Sequence, residues 1–185
     1  HGADWNDALD MAWEKGESVA FTCAYAGNLR NIAKTLRQLE EISGSSKIEI
    51  AHEMEDLLAG SVELYEDAAR KQALLAGYAK KCEHNISGDT IIVRLDQLAA
   101  NLEGKADWMM KNIRANEWVK DGEDGWFNGY YDNHGRKVEG VMDESVRMML
   151  TGQVFAIMSG TATEDQVESI CRSADKYLYD QKAGG

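Results

Sequence analysis

The chain has 185 residues, a length that suits one domain with a buried core and argues against disorder. Its 20 Lys and Arg against 32 Asp and Glu give a formal net charge of −12, which repels nucleic-acid phosphates and anionic membrane surfaces. Proline is absent, so no obligatory breaker interrupts a helix, and 17 glycines are left to make the turns.

From Glu17 to Ile42, apolar residues at Leu29, Ile32, Leu36 and Leu39 fall on one helical face, and Gly44 ends the pattern. Beyond Gly44-Ser45-Ser46, the residues Ile50, Met54, Leu57 and Leu58 predict a shorter helix stopped near Gly60. Ser61 is placed to cap a third helix, carrying Val62, Tyr65, Ala69 and Leu75 as far as about Glu83. Thr90-Ile91-Ile92-Val93 reads as an extended connector. Asp96 then caps a long helix through Leu98, Leu102, Ala106, Met109 and Ile113, running to about Trp118. Trp126-Phe127-Asn128-Gly129-Tyr130-Tyr131 followed by Asp132-Asn133-His134-Gly135-Arg136 predicts an aromatic hairpin between helices. A helix from about Gln153 to Met158 ends at Gly160, and Thr163 with Gln166 forms a capping box for a last helix burying Val167, Ile170, Ala174 and Tyr177 or Leu178. The fold class expected from this order is mainly α, with a short β-hairpin between helices.

Cys23, Cys82 and Cys171 lie far apart without C-x-x-C spacing, which fits a reducing compartment, and the expected location is cytoplasmic. No apolar run reaches the length of a membrane span and no leader pattern is visible, while the opening at His1 without an initiator Met suggests a piece of a longer chain.

The densest polar and aromatic cluster is Asp4-Trp5-Asn6-Asp7, then Asp10, Trp13, Glu14 and Glu17. A carboxylic acid serves as a general acid near neutral pH when an apolar wall raises its pKa, and a Trp supplies that wall while stacking on a sugar face. Trp5, beside Asp4 and near Asp7, offers those parts. The same letters also suit a helix beginning at Ala8, capped by Asp4 or Asp7, with Trp5 in the core. The hairpin is similarly two-sided: its aromatics interleaved with Asn128, Asp132, Asn133 and His134 fit either a carbohydrate subsite or ordinary packing on helices. The four histidines are scattered without metal-ligand spacing, so no metal is expected. The acidic run from Asp121 has Trp126 where a calcium loop needs Gly, and it reads as a solvated turn. Asn85-Ile86-Ser87 is a glycosylation sequon by letters only, and no nucleotide-binding or serine-hydrolase motif occurs.

Ala3-Asp4-Trp5-Asn6-Asp7-Ala8-Leu9-Asp10-Met11 followed by Gly16-Glu17-Ser18-Val19 resembles the catalytic-acid region of the inverting phosphorylases of glycoside hydrolase family 94. Asp124-Gly125-Trp126-Phe127, Gly129-Tyr130-Tyr131-Asp132 and Gly135-Arg136 are similar to the family's aromatic hairpin. Gln153-Val154-Phe155-Ala156-Ile157-Met158-Ser159-Gly160 is similar to its glutamine-aromatic-alanine helix, with Phe155 where many members carry Trp. Within the family, Asp4–Asp10 and Ala24-Tyr25-Ala26-Gly27-Asn28-Leu29-Arg30 look closest to the 1,2-β-oligoglucan phosphorylases.

The resemblance implies that residues 1–185 are a middle segment of an (α/α)6-barrel catalytic domain, without the family's N-terminal β-sandwich, earlier barrel helices and later phosphate-binding loops. It implies that Asp7 protonates the glycosidic oxygen while inorganic phosphate, a co-substrate, attacks the anomeric carbon from the opposite face and gives α-glucose 1-phosphate. Trp5 and Asn6 would line the sugar subsites, and Asp4 and Glu17 would contact hydroxyls or hold the loop. An ordinary inverting glycosidase needs a second carboxylate to activate water, whereas a phosphate nucleophile does not. No cofactor is implied. The implied partners are an oligosaccharide, phosphate, the remaining segments of the parent enzyme and a second copy in a homodimer, with no nucleic acid and no membrane. Two other readings stay in play: a non-catalytic carbohydrate-binding or structural helical module, and an inverting hydrolase on a similar barrel.

Overall fold

A computed structural model describes residues 10–58, 62–142 and 145–184 of the chain. In chain order its elements are a 3-10 turn at Asp10–Ala12, β1 (Glu17–Ser18), α1 (Val19–Ser43), β2 (Lys47–Ala51), a 3-10 turn at His52–Met54, α2 (Glu55–Leu58), α3 (Val62–Glu66), α4 (Ala68–Lys81), β3 (Thr90–Arg94) and α5 (Leu95–Asn116). There follow β4 (Trp118–Asp121), β5 (Asp124–Phe127), β6 (Tyr130–Tyr131), β7 (Gly140–Met142), β8 (Ser145–Arg147), α6 (Leu150–Met158) and α7 (Glu164–Tyr177). The fold is mainly α, with short antiparallel β-ribbons set between the helices. Among the described residues no helix is long and apolar enough to cross a membrane.

The chain forms two compact units: Leu29–Trp108, and the residues before and after that stretch taken together. In the Leu29–Trp108 unit, Ala33 and Leu36 of α1 pack with Leu95 and Ala99 of α5, flanked by Ile48, Leu98 and Leu102. The alanines leave little side chain between the helices, so their backbones approach closely. Arg37 forms a two-pronged pair with Glu103 at 3.1 and 2.5 Å, and Arg30 reaches Asp107 at 2.6 Å. These pairs are exposed and contribute little beyond orientation.

Two sequence expectations are corrected in this unit. Ile50 belongs to a strand, not a helix: β2 pairs antiparallel with β3 from Lys47 opposite Arg94 to Ala51 opposite Thr90. Ile48 and Ile50, and likewise Ile91 and Val93, turn toward the half-buried face at alternate positions, the period of a strand. The predicted helix from Val62 to Glu83 is broken at Asp67, whose extended backbone and side chain, accepting from the Arg70 N–H at 2.9 Å, start α4 afresh. Ser61, its expected cap, lies outside the described residues.

The second unit is built on a core of Val19, Cys23, Ile113, Trp126, Phe127, Met148, Ala156 and Ile170. Gly44 and Gly160 take positive φ angles of 67° and 73° and close α1 and α6, as their sequence positions predict. The Thr163 hydroxyl accepts from Gln166 N at 3.3 Å and the Gln166 side chain accepts from Thr163 N at 3.1 Å, completing the predicted capping box of α7. Thr163→Ala is expected to cost about 1 kcal/mol and to lower the melting temperature by roughly 2–4 °C, read from a thermal denaturation curve.

Candidate active site

The segment that follows Asp4-Trp5-Asn6-Asp7 is held by local turn chemistry and by one loop. Gly16 N donates to Ala12 O at 3.0 Å, and a Cβ at Gly16 would stand 2.2 Å from that oxygen, so only glycine fits this turn. Ser18 then caps α1, its hydroxyl accepting from Phe21 N at 3.1 Å. The Val19 and Ala20 N–H groups donate to Gly129 O at 2.9 and 3.2 Å, so the first amides of the helix find acceptors. Between these points β1 pairs with β6, placing Glu17 opposite Tyr131 and Ser18 opposite Tyr130.

The loop after β6 supplies the remaining ties. Asn133 Oδ1 accepts from Glu14 N at 3.0 Å and from Lys15 N at 2.8 Å, and Asn133 N donates to Met11 O at 2.8 Å. The loop is itself stiffened by Asp132, whose carboxylate accepts from His134 N, Arg136 N and Arg136 Nε at 2.8–2.9 Å. The backbone N–H of Arg136 foremost, then those of His134 and the Arg136 side chain, hold that carboxyl below its ordinary pKa against the opposing effect of burial. Arg147 adds a tie from β8, with Nη1 at 3.4 Å from Val138 O and 3.9 Å from Met11 Sδ.

Beneath the loop runs a buried polar network. Gln153 of α6 answers both backbone groups of Phe127, accepting from its N–H at 2.8 Å and donating to its C=O at 2.7 Å. Ser173 of α7 does the same for Gly125, at 3.2 and 3.1 Å. Side chains thus stand in for a third strand along the open edge of β5. Glu139, 1% exposed, accepts from Gly129 N at 2.8 Å and Met149 N at 2.7 Å. Burial pushes its carboxyl up to about 7, partly opposed by those two amides. Asn128 links Glu139 to Glu117, accepting from Glu139 N at 3.2 Å and donating to Glu117 Oε2 at 3.1 Å. Tyr131 donates its hydroxyl to Glu117 at 2.9 Å, and burial first, then this carboxylate, raises the phenol's pKa. A Cβ on Gly152 would lie 2.9 Å from Gly129 Cα, so α6 and the loop touch backbone to backbone.

Of the residues singled out in the sequence, Asp4, Trp5, Asn6 and Asp7 lie outside the described residues, and Glu17 is exposed in β1. The hairpin expectation is corrected in two respects. Asp121-Gly122-Glu123-Asp124 is the turn joining β4 to β5, and Tyr130-Tyr131 forms a strand paired with β1, while the expected glycine turn over Asp132–Arg136 is present and is closed by a bridge from Tyr131 to Lys137 and by Val138 N donating to Tyr130 O at 3.0 Å. Trp126, Phe127 and Tyr130 are 0–1% exposed, so these aromatics are core and offer no stacking face to a sugar. Tyr131 remains half-buried. The acidic turn is committed internally, with Asp124 held by Arg172 at 3.0 Å and Asp121 by Lys176 at 3.1 Å and by the Tyr177 hydroxyl. Glu139 carries no pattern signal in the sequence, Asn133 and Gln153 stand out there only as a hairpin residue and as part of the family-like helix, and the β7–β8 ribbon is not foreshadowed.

Residues 93–184, just under half of the chain, match the model of the glycosyl hydrolase 94 superfamily, catalytic domain. The match supports that superfamily for the stretch holding the hairpins, the Glu139 network and Asn133. No curated protein matches the chain.

Proposed function

We propose that the chain is a segment of an inverting glycoside phosphorylase, part of an (α/α)6 barrel, that cleaves a β-glucan or β-linked disaccharide with phosphate. Its best-fitting substrate is a 1,2-β-oligoglucan and its product α-glucose 1-phosphate. The observation that carries the reading is the family match over residues 93–184. It is joined to the N-terminal motif by pairing, because β1, reached ten residues after Asp7, lies against β6 within the matched stretch.

In this reading Asp7 donates its proton to the glycosidic oxygen as the bond from that oxygen to the anomeric carbon breaks. A phosphate oxygen forms the new bond to the same carbon from the opposite face, so configuration inverts and one protein acid suffices. Trp5 and Asn6 line the sugar subsites, with Asp4 and Glu17 in supporting contacts to hydroxyls or to the loop. Cationic groups that meet the phosphate come from the remaining segments of the parent enzyme, since this segment carries a net charge of −12.

The test is to incubate the complete enzyme with β-linked gluco-oligosaccharides and to assay sugar 1-phosphate with and without inorganic phosphate. Phosphate-dependent release of α-glucose 1-phosphate is expected. Turnover without phosphate would identify a hydrolase, and sugar binding without turnover a non-catalytic module. Trp5→Ala is expected to weaken oligosaccharide binding by about 0.5–1.5 kcal/mol or more through lost stacking, and unchanged affinity in a calorimetric titration would remove Trp5 from the subsite.

A further inference from the structure

We propose that Asn133 is the positioning residue for the catalytic-acid segment: its three hydrogen bonds to Met11, Glu14 and Lys15 fix the chain that carries Asp7. The inference rests on the phosphorylase reading for the role of Asp7, and on geometry for the clamp itself. Met11 lies four residues beyond Asp7, and its carbonyl is engaged by Asn133 N at 2.8 Å. The Glu14 and Lys15 amides converge on a single side-chain oxygen at 3.0 and 2.8 Å. Two N–H groups from consecutive residues can share one acceptor only when the backbone is turned around it, so the contact selects one conformation of residues 11–15.

Ala12 is fully buried against Ala20, Tyr130 and Val138, and Arg147 Nη1 lies 3.9 Å from Met11 Sδ, so the start of the stretch has anchors of its own. The 3-10 turn at Asp10–Ala12 is three residues long, and Trp13, Glu14 and Lys15 beyond it are exposed, so there the hold comes from the hydrogen bonds to Asn133. Asn133 in turn sits on a loop that is fixed at Asp132 by three hydrogen bonds and is joined through β6 to the core. The clamp therefore transmits the rigidity of the loop to the exposed residues 13–15. A general acid must meet the leaving oxygen within hydrogen-bond reach, and a displacement near 1 Å costs about 100-fold in rate. Asn133 acts through the backbone of residues 11–15 as a positioning residue.

The experiment compares wild type, Asn133→Ala and Asn133→Asp in the complete enzyme, each checked for an unchanged far-ultraviolet spectrum and cooperative melting. Asn133→Ala removes the acceptor and is expected to lower kcat for phosphorolysis by about tenfold or more with KM within about twofold. Asn133→Asp keeps an oxygen at the same place and is expected to restore at least half of the wild-type kcat. A second readout does not depend on activity: cleavage by trypsin after Lys15, followed by mass spectrometry, is expected to be faster in Asn133→Ala than in wild type or Asn133→Asp. If Asn133→Ala gives no folded protein, Asn133→Ser, whose hydroxyl falls short of the two amides, carries the same comparisons.

Equal kcat in wild type and Asn133→Ala, or a loss expressed in KM alone, would overturn the positioning role. Cleavage after Lys15 at the same rate in both would overturn the clamp. A wild-type enzyme that shows no phosphorolysis defeats the functional reading instead, and the proteolysis comparison still reads the clamp.

Discussion

Asp7→Asn in the complete enzyme is expected to abolish phosphorolysis of an unactivated β-glucan, a loss of roughly 10²–10⁴-fold in kcat, while leaving the helical signal unchanged. The amide occupies nearly the volume of the carboxyl group but has no proton to give to the departing oxygen. A sugar alkoxide is a poor leaving group, so the loss falls on the bond-breaking step. The same variant should retain far more of its rate on a glucoside with an acidic phenol as leaving group, because that bond breaks without protonation. Phosphate and sugar binding are expected to persist, which separates a missing acid from a collapsed subsite. Retention of more than about a tenth of wild-type activity on unactivated substrate would remove Asp7 from the role of acid.

How far the sequence carries depends on the range of the interaction that decides each element. α1, α5 and α7 were legible because their apolar stripes and the Thr163–Gln166 capping box are local signals, and the structure reproduces them within a few residues. β2 was not legible. Lys47-Ile48-Glu49-Ile50 alternates over only four residues, Ile50 also falls on a helical spacing with Met54 and Leu57, and the partner that settles the matter begins at Thr90. The aromatic run failed for a different reason. Trp126, Phe127 and Tyr130 have the same letters whether a hairpin shows them to a sugar or packs them inward, and what buries them is long-range: Trp126 and Phe127 pack in the core with Val19, Ile113 and Ile170, and Tyr130 packs with Ala12, Ala20 and Val138. At the candidate site, the Asp4-Trp5-Asn6-Asp7 motif is readable as a catalytic region only through its family resemblance, since the residues by themselves favour a helix cap with Trp5 in the core. Asn133 stands out in the sequence only as a hairpin letter, because its bonds to Glu14 and Lys15 span 119 and 118 residues, beyond any periodicity.

The stability of the chain is expected to fall as pH rises from about 4.3 toward 7, and Glu139 is expected to be the chief source of that fall. Burial raises its folded-state value to about 7 while the unfolded chain returns it to the ordinary carboxylate range, so between those limits the native state holds a proton that the unfolded state has released. The stabilisation is fully present below about pH 4.3 and is lost as pH rises through the folded value. Its size is on the order of 3 kcal/mol. The groups that face the carboxylate are the Gly129 and Met149 amides and, at 3.4 Å, Gln153 Nε2. These donors are neutral, so they offset the desolvation of the charge only in part. Glu139→Gln keeps an acceptor for one amide and has nothing to titrate, so urea midpoints measured from pH 5 to pH 8 should lose most of the wild-type slope. Glu139→Ala leaves both amides without their acceptor and should cost roughly 2–6 kcal/mol at pH 5. Because Gly129 also accepts from the first two amides of α1, that loss should reach the segment leading from Asp7, and cleavage after Lys15 should quicken in step. A wild-type slope that survives intact in Glu139→Gln would assign the titration to other carboxylates, and an unaltered Lys15 cleavage rate in Glu139→Ala would show that the acid segment is held by the Asn133 clamp without help from the network beneath it.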